Sequence, residues 1–433
     1  MIQKTYKIKD TKNITGLLPA VQYKRPEFLY IATSNARCPK ADIFINVGDH
    51  VNSCQVIGMR HGTFFEQPIH ATCSGTFVGY EKHYHRNGKL TDFIKIQNDF
   101  KDTLDSSLKT RTDEEIMSLS KEEMIQIIKD TANVGLGGSS FPTYIKMSTD
   151  KEINLILING IECEPYITAD HRIMLEYPYR IINAIRYVKH MFNCKKALIC
   201  IKSKYKDIKE TYEAVLKEFK DEGIELCLVG NYYPQGWEVE MIKKATGIKL
   251  KPGELPTNRG ILNFNVSTMV GIYKAFKYNM PVIKRDITVT GDGIMYPKNF
   301  RVRVGTSIKE LIPLCGGYKN PDVPKVFILG GPMMGASVPS DDCIITKTVT
   351  SIIVLDKVEY KEEPCVRCGS CVLSCPAGLE PVQIMRAVKS VDKETLKKLN
   401  VNRCIECGLC TYSCTSKIQV TDYVRRGKTL AKL

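Results

Sequence analysis

Residues 135–166, GLGGSSFPTYIKMSTDKEINLILINGIECEPY, place a glycine loop, a helix start, a buried strand and an acidic loop in one run. Glycines at Gly135, Gly137 and Gly138 let a backbone approach a ligand closely. Pro142 suits the first turn of a helix. The apolar run at 153–158 is strand-sized. Beyond it come a helix after His171, the strand KALICIK (196–202), the helix TYEAVLKEF (211–219) and the strand IELCLV (224–229). A helix with apolar Met124, Ile127 and Ile128 precedes the loop. Such alternation implies an α/β domain with a parallel sheet. In these sheets ligands bind beyond the carboxyl ends of the strands, where glycine loops and helix N-termini favour anions. The loop 135–138 and the segment 159–166 both fit that position.

Upstream, residues 1–99 read as short β-strands with turns at Gly48-Asp49, Gly75 and Asn87-Gly88, a pattern expected of a small sandwich or barrel. The pattern resembles the barrel-sandwich of lipoyl and biotinyl carrier domains, but no lysine sits at the hairpin tip, so a carrier role is not expected. Residues 100–121 are polar and read as a linker into the helix that opens the α/β domain, 100–282. Residues 283–358 carry the strand signals ITVTGD, FRVRVG, KVFILGG and TSIIVLD and one helix signal, SIKELIPL, and read as a small α+β domain. Residues 359–433 are the cysteine module.

With 433 residues the chain has room for about two to four domains. Its 43% hydrophobic and 25% charged residues match a globular protein rather than a disordered or fibrous one. No apolar run approaches the roughly 18–20 residues of a membrane span. The charged start MIQKTYKIKD lacks an apolar core, so a cytoplasmic location is expected. A net charge of +15 suits an acidic partner. The lysines form no dense block and no aromatic stripe, so nucleic acid is not an expected partner.

In a reducing compartment, 17 cysteines call for an explanation other than disulfides. Nine are scattered; eight crowd into CVRCGSCVLSCP (365–376) and CIECGLCTYSCT (404–415), two copies of Cys-x2-Cys-x2-Cys-x3-Cys. In this spacing three cysteines hold one iron–sulfur cube and the fourth reaches the other. The expected sets are Cys365, Cys368, Cys371 and Cys414 on one [4Fe-4S] cluster, and Cys404, Cys407, Cys410 and Cys375 on the second. Zinc would instead show Cys pairs or Cys/His sets closing one tetrahedral site. Gly369 and Gly408 sit at equivalent places, where the backbone must curl around sulfide. Cys163, between two carboxylates, reads as inert packing rather than a redox thiol. Cys194, Cys200 and Cys227 fall in or beside core elements, and His83 and His85 read as solvent-exposed residues of a polar loop, not ligands.

The motifs GLGGSSFPT, NGIECEPYITAD, YYPQGWE, NVST, GGPMMG and the doubled cysteine run, in this order, closely resemble the C subunit of the Rnf-type ferredoxin:NAD oxidoreductase complex. Relatives are a cobalamin reductase of propanediol-utilisation compartments and an electron-transfer protein associated with proline reductase; the flavoprotein subunit of respiratory complex I shares the α/β core. The resemblance covers nearly the whole chain. It implies an N-terminal β barrel-sandwich, a Rossmann-like FMN/NAD α/β domain, an SLBB β-grasp domain and a C-terminal two-[4Fe-4S] ferredoxin domain. It assigns Gly135, Gly137, Gly138, Phe141 and Lys146 to the flavin and nucleotide loop. Asn159, Glu162 and Glu164 fall where the complex I relative has an Asn, a Glu near the flavin and a Glu near the nucleotide. Asn265 and Thr268 match a flavin-contacting Asn-Val-x-Thr. Leu136 stands where the complex I relative has an Arg, and Trp237 replaces the first of two glutamates, leaving Glu238 as the second. The start lacks a Gly-Gly-Ile-His-Pro segment associated with the Rnf C subunit, which leaves a sister branch open.

The function this resemblance implies is electron transfer between NAD(H), FMN and two [4Fe-4S] clusters, in an oxidoreductase subunit peripheral to an ion-translocating membrane complex. Its expected partners are the other subunits and a ferredoxin-like electron carrier, at the cytoplasmic face of the plasma membrane. Flavin is the needed converter, because NADH gives two electrons as hydride and each cluster takes one. Lys146 is expected to stabilise reduced flavin or a phosphate, and Glu162 to hold water or the ring edge. The same cofactors would serve a soluble electron donor to a cobalamin or proline reductase. In a different class, the chain would be a non-catalytic iron–sulfur relay scaffold without flavin.

Overall fold

The computed structural model describes residues 6–23 and 26–432; the first five residues of the charged start, with Lys24, Arg25 and Leu433, lie outside the described residues. The N-terminal strands form two facing sheets. One orders Phe28–Ala32, Leu90–Asn98, Gly75–Tyr84 and His50–Val51; the other orders Lys40–Ile43, Val56–His61 and Glu66–His70. Leu29 pairs opposite Ile96 and Ile31 opposite Ile94, and these side chains meet Ile57, Ile69 and Phe77 in the core between the sheets. Phe93, on the other face, is covered by Ala32 and by Ile344 of the third domain, so this sheet is buried on both sides here. Gly75, expected in a turn, begins a long strand; a Cβ there would lie 2.0 Å from the Gln97 carbonyl oxygen.

That second covered face overturns the reading of the histidines. His83 lies in the strand Gly75–Tyr84 and is only 6% exposed; His85 follows it at 8%. Nδ1 of His83 bonds Asp342 Oδ1 at 2.8 Å, and its ring meets Tyr30 and Phe93 edge-on. A polar local sequence hid His83 because the residues around it are distant in the chain, Asp342 by 259 positions.

The α/β domain has a four-stranded sheet in the order Ile224–Val229, Lys196–Lys202, Leu155–Asn159, Ile261–Asn265, every pairing parallel. Ile156 and Ile158 pack towards the helices Pro178–Met191 and Val266–Tyr278, while Leu157 and Leu198 pack on the opposite face with Met241 and Ile242 of the helix Glu238–Thr246. Burial on both faces explains the unbroken apolar run of the central strand. The helix read at 211–219 runs Lys206–Leu216. The polar stretch read as a linker contains a short helix, Asp113–Met117. Thr112 and Glu115 form a capping box there, and fully buried Ile116 pins it to the domain.

The third domain is a six-stranded mixed sheet in which Lys284–Thr290 pairs with both Lys298–Arg303 and Ser351–Asp356. One of its two edge strands is Ala20–Gln22, which precedes the N-terminal sandwich and pairs in parallel with Lys298–Arg303. The helix expected at SIKELIPL is two 3-10 turns, Ile308–Glu310 and Pro313–Cys315. Pro313 cannot donate an interior helix hydrogen bond and clashes with the preceding turn, and Gly316 closes the second turn with φ 77°.

The C-terminal module packs Pro381–Lys389, Lys393–Lys398 and Val420–Leu430 around Ile384, Leu396, Val401 and Val424. Its two cysteine loops repeat the same backbone. Arg367 and Glu406, Gly369 and Gly408, and Gly378 and Lys417 all have left-handed φ, and Ser374 and Ser413 of the two loops meet at 3.0 Å. Among the described residues no helix is long and apolar enough to cross a membrane.

Candidate functional site

The strand Leu155–Asn159 is flanked by a later strand on each side, Lys196–Lys202 and Ile261–Asn265. Connections therefore leave it in opposite directions, and the crevice at its carboxyl end is the place where such sheets bind ligands. Asn159 and Asn265 are direct register neighbours there. Asn159 Nδ2 donates to the Gly236 carbonyl at 2.9 Å, and Asn265 Nδ2 to Asp170 Oδ2 at 2.7 Å, so both amides are held in place.

The glycine loop crosses above them. Gly135 N–H donates to the Phe141 carbonyl at 2.8 Å and closes the loop. Leu136 N–H donates to Thr268 Oγ1 at 2.9 Å, and its carbonyl accepts from Arg285 at 3.1 Å. Leu136 is thus turned inwards against Val134 and Val282, and Thr268 anchors the loop from the sheet side. A Cβ at Gly137 would lie 2.9 Å from the Asn265 side chain, and Gly138 has φ 108°, so both positions keep the backbone bare.

Two adjoining cavities open around this loop. The larger, about 800 Å³, is walled by Gly135, Gly137 and Phe141 on one side and Asn159, Asn265 and Thr268 on the other. Lys146 and Glu238 also face it. Lys146 is half-buried, with Nζ 2.7 Å from Asn263 Oδ1 and 3.9 Å from Glu238; burial lowers its pKa. The smaller cavity, about 400 Å³, shares Gly137, Asn159 and Glu238 and adds Gly138, Glu162 and Glu164. Every non-cysteine residue the sequence singled out for cofactor binding borders one or both.

The two glutamates are bonded rather than free. Glu162 pairs with Lys12 at 3.0 Å and accepts the Asp170 N–H at 2.7 Å, at the start of the helix Ala169–Glu176. Burial, against the pull of Lys12, pushes its carboxyl up to about 7. Glu164 accepts the Met333 N–H at 3.0 Å and the Tyr233 hydroxyl at 3.4 Å, and burial likewise lifts it to about 7. It is packed so closely that a Cβ at Gly331 would fall 1.9 Å from it. Sequence reasoning missed Lys12 and Asn263, which are remote from the residues they hold. Asp170, the last residue of the motif NGIECEPYITAD, also accepts from Ser267 Oγ at 2.6 Å. Cys163 packs against Gly236 with its thiol pushed up to about 11 by burial and by Glu164.

The cysteine module docks on the smaller cavity. Tyr233 donates from its hydroxyl to the Cys407 carbonyl at 2.8 Å, and Ile405 lies in the cavity wall with Asn159 and Glu162. The eight cysteines fall into two sets that cross between the runs. Cys365, Cys368, Cys371 and Cys414 surround a cavity of about 240 Å³. Cys375, Cys404 and Cys410 lie close enough to act on the charge of Cys407.

Both sites suit the groups that the sequence points to. Four cysteines among the residues lining one void match the donor type and number that a cluster requires. A wide crevice with bare glycine backbone, two fixed amides and a lysine matches a planar, phosphate-bearing flavin.

Comparison with known proteins agrees with this arrangement. The RnfC Barrel sandwich hybrid domain family matches residues 2–101, the Nuo51 FMN-binding domain 128–274, the SLBB domain 287–337 and the 4Fe-4S dicluster domain 357–419. The chain is 33% identical over 377 residues to the C subunit of the proton-translocating ferredoxin:NAD(+) oxidoreductase complex of Clostridium ljungdahlii, covering 86% of this chain and 81% of the relative. To the C subunit of the Na(+)-translocating ferredoxin:NAD(+) oxidoreductase complex of Acetobacterium woodii it is 31% identical over 379 residues, covering 86% and 84%. Among solved structures, a chain of the NAD+-reducing [NiFe]-hydrogenase in the H2-reduced state superimposes with TM-score 0.52 at 15% identity, over 70% of this chain and 63% of that one. This last likeness shows a shared fold.

Proposed function

The chain belongs to the family of C subunits of ion-translocating ferredoxin:NAD(+) oxidoreductase complexes, electron-transfer proteins with an FMN-binding domain and a 4Fe-4S dicluster domain, and from that premise we propose how its residues serve the transfer. FMN is held between the glycine loop (Gly135, Gly137, Gly138, Phe141) and the sheet edge (Asn159, Asn265, Thr268). NAD(H) enters beside it, next to Glu162, Glu164 and Glu238. Bound there, FMN would supply the conversion of one two-electron hydride transfer into the single-electron steps that the clusters require.

Lys146 offers its ammonium to an anionic group of the cofactor and is kept in position by Asn263. Glu162 and Asp170 hold the polar wall: the first is tied to Lys12, the second to Asn265 and Ser267. Glu164 and Tyr233 clamp the loop around Cys407 to the α/β domain. The second cysteine run therefore ligates the cluster next to the flavin. The set of Cys365, Cys368, Cys371 and Cys414 lies further out, with Cys365 and Cys368 exposed to a docking carrier. The protein works at the cytoplasmic face of the membrane, through contacts with the other subunits and a ferredoxin-like carrier.

One observation carries this reading: Ile405, between two cysteines of the second run, shares a cavity wall with Asn159 and Glu162. Protein isolated without oxygen should contain flavin and iron with sulfide, give EPR signals of reduced clusters, and reduce a dye from NADH. Zinc in place of iron, or no electron flow from NADH after reconstitution with FMN and clusters, would overturn it.

A further inference from the structure

A third cavity, about 650 Å³, lies between the N-terminal sandwich, the outer side of the glycine loop and the third domain. Its size falls within the range of small-molecule sites. Cations from separate segments line it: Arg37, Arg60, Arg86 and Lys347, with His70 and His85 beside them. Among the described residues none of the four cations has a carboxylate partner. Arg60, 9% exposed, is bonded to the Ala32 carbonyl while its Nε has no partner. Lys347 donates to the Ala132 carbonyl at 3.1 Å, and Arg86 to the carbonyls of Gly138 and Thr348 at 3.2 and 3.0 Å. Arg37 reaches the Ser139 carbonyl at 3.3 Å. Nδ1 of His70 and of His85 is buried without a partner. The carboxylate that does line the cavity, Glu406, is already paired with Arg425 and Lys428.

Moving a cation out of water costs several kcal/mol unless an anion meets it, and a carbonyl bond orients the charge without neutralising it. Burial together with Arg60 holds Lys347 down to about 7, which reports the same unmet demand. Arg60 is buried, Arg86 and Lys347 are half-buried and Arg37 is exposed; donors converging from separate segments, with spare N–H groups and no unpaired acid among the lining residues, form a preorganised anion site.

We infer that this chamber binds a phosphate-bearing ligand, a nucleotide or another pyrophosphate-containing molecule, with Arg60, Arg86 and Lys347 meeting its anionic oxygens. The chamber touches the smaller flavin-side cavity at Gly138, Ser139 and Arg86, so the phosphates have two possible sources. One is the pyrophosphate of a dinucleotide that also reaches across the loop, which rests on the nicotinamide reading above. The other is a separate nucleotide, which does not.

The test titrates anaerobically purified protein, flavin and clusters in place, with inorganic pyrophosphate and with ADP in a calorimeter. Saturable binding is expected, weakened about tenfold or more in Lys347→Met and in Arg60→Gln, since each removes a charge-assisted contact, and retained in Lys347→Arg. Without probe, Lys347→Met should also melt at a higher temperature than the native chain, because a half-buried cation with no carboxylate partner has gone. Pyrophosphate that competes with NADH in dye reduction identifies the dinucleotide's own phosphates; pyrophosphate that binds and leaves NADH kinetics unchanged identifies a separate ligand. Binding of neither probe at millimolar concentration, or undiminished affinity in Lys347→Met, overturns the inference. Protein that lacks flavin activity yet binds pyrophosphate would sink the flavin reading and leave the chamber standing.

Discussion

In the first cysteine run Cys365 and Cys368 are exposed, and a Cβ at Gly369 would meet nothing within 4 Å. In the second, Cys407 and Cys410 are buried, and a Cβ at Gly408 would lie 2.8 Å from the Met333 carbonyl oxygen. The loops share their left-handed φ values, so the difference comes from what is packed against them. One loop is capped by Tyr233 and Met333; the other faces solvent. Since burial and hydrogen bonds to the sulfurs set a cluster's potential, one motif used twice yields two unlike stations, and the docked one is next to the flavin crevice.

The harshest way to break this comparison is to remove one ligand from each run. Cys407→Ser should stop NADH-dependent reduction of any acceptor served by the clusters, with iron content falling by roughly half. Cys368→Ser should lose a similar share of iron yet still let NADH reduce the flavin and a small flavin-reactive dye, failing only with a protein carrier. NADH should reduce the remaining cluster in Cys368→Ser but not in Cys407→Ser, and equal reduction of the remaining cluster in the two variants, followed by rapid-freeze EPR, would cancel the assignment of inner and outer clusters.

The glycines sharpen the contrast in stability. Gly369→Ala puts a side chain into left-handed backbone with open space around it, at about 1 kcal/mol. Gly408→Ala adds a clash with the backbone of residue 333 and should cost about 2–3 kcal/mol. Calorimetric melting of the holoprotein should show the larger fall in midpoint for Gly408→Ala; the reverse order would mean that the dock is loose.

Glu164 links the dock to pH. Its folded value, about 7 against an ordinary 4.5, means that the native protein keeps a proton the unfolded chain has already released. That contribution is complete below about pH 4.5 and is lost as the pH rises through 7. Glu164→Gln keeps an acceptor for Met333 N–H and Tyr233 without the charge. It should match the native chain at pH 5 and exceed its stability at pH 8 by roughly 1–3 kcal/mol. Parallel stability profiles across that range would contradict the burial argument.

The smallest effect belongs to Tyr233→Phe, which removes one hydroxyl from the Cys407 carbonyl. About 1 kcal/mol of stability should go, together with a shift in the potential of the inner cluster alone in EPR-monitored redox titration. A shift in both clusters, or in the outer one, would argue against the dock being specific to the second run.

How much of this was legible depended on how far apart the interacting residues are. The parallel sheet could be read because strand and helix periodicities are local, and KALICIK and IELCLV are strands over the same residues the pattern marks. The expectation of crossed cysteine sets came from local spacing, because three ligands at intervals of three wrap one centre while the fourth, one residue further on, reaches the other. The glycine loop was visible, but not that Leu136 would turn inwards beneath it. SIKELIPL looked helical by its apolar spacing until Pro313 divided it. His83 and His85 looked exposed because the third domain, which covers them, contributes nothing to their local sequence.

Thus residue order alone was enough for the iron–sulfur class, which rests on short-range cysteine spacing, and the resemblance of the motifs to the Rnf C subunits was needed for the flavin and the named domains. The pairing of Lys12 with Glu162, the contact between Tyr233 and Cys407 and the gathering of Arg60, Arg86 and Lys347 around one chamber came only with folding. Each joins side chains from distant segments, and the energy of such contacts depends on burial, which no local pattern encodes.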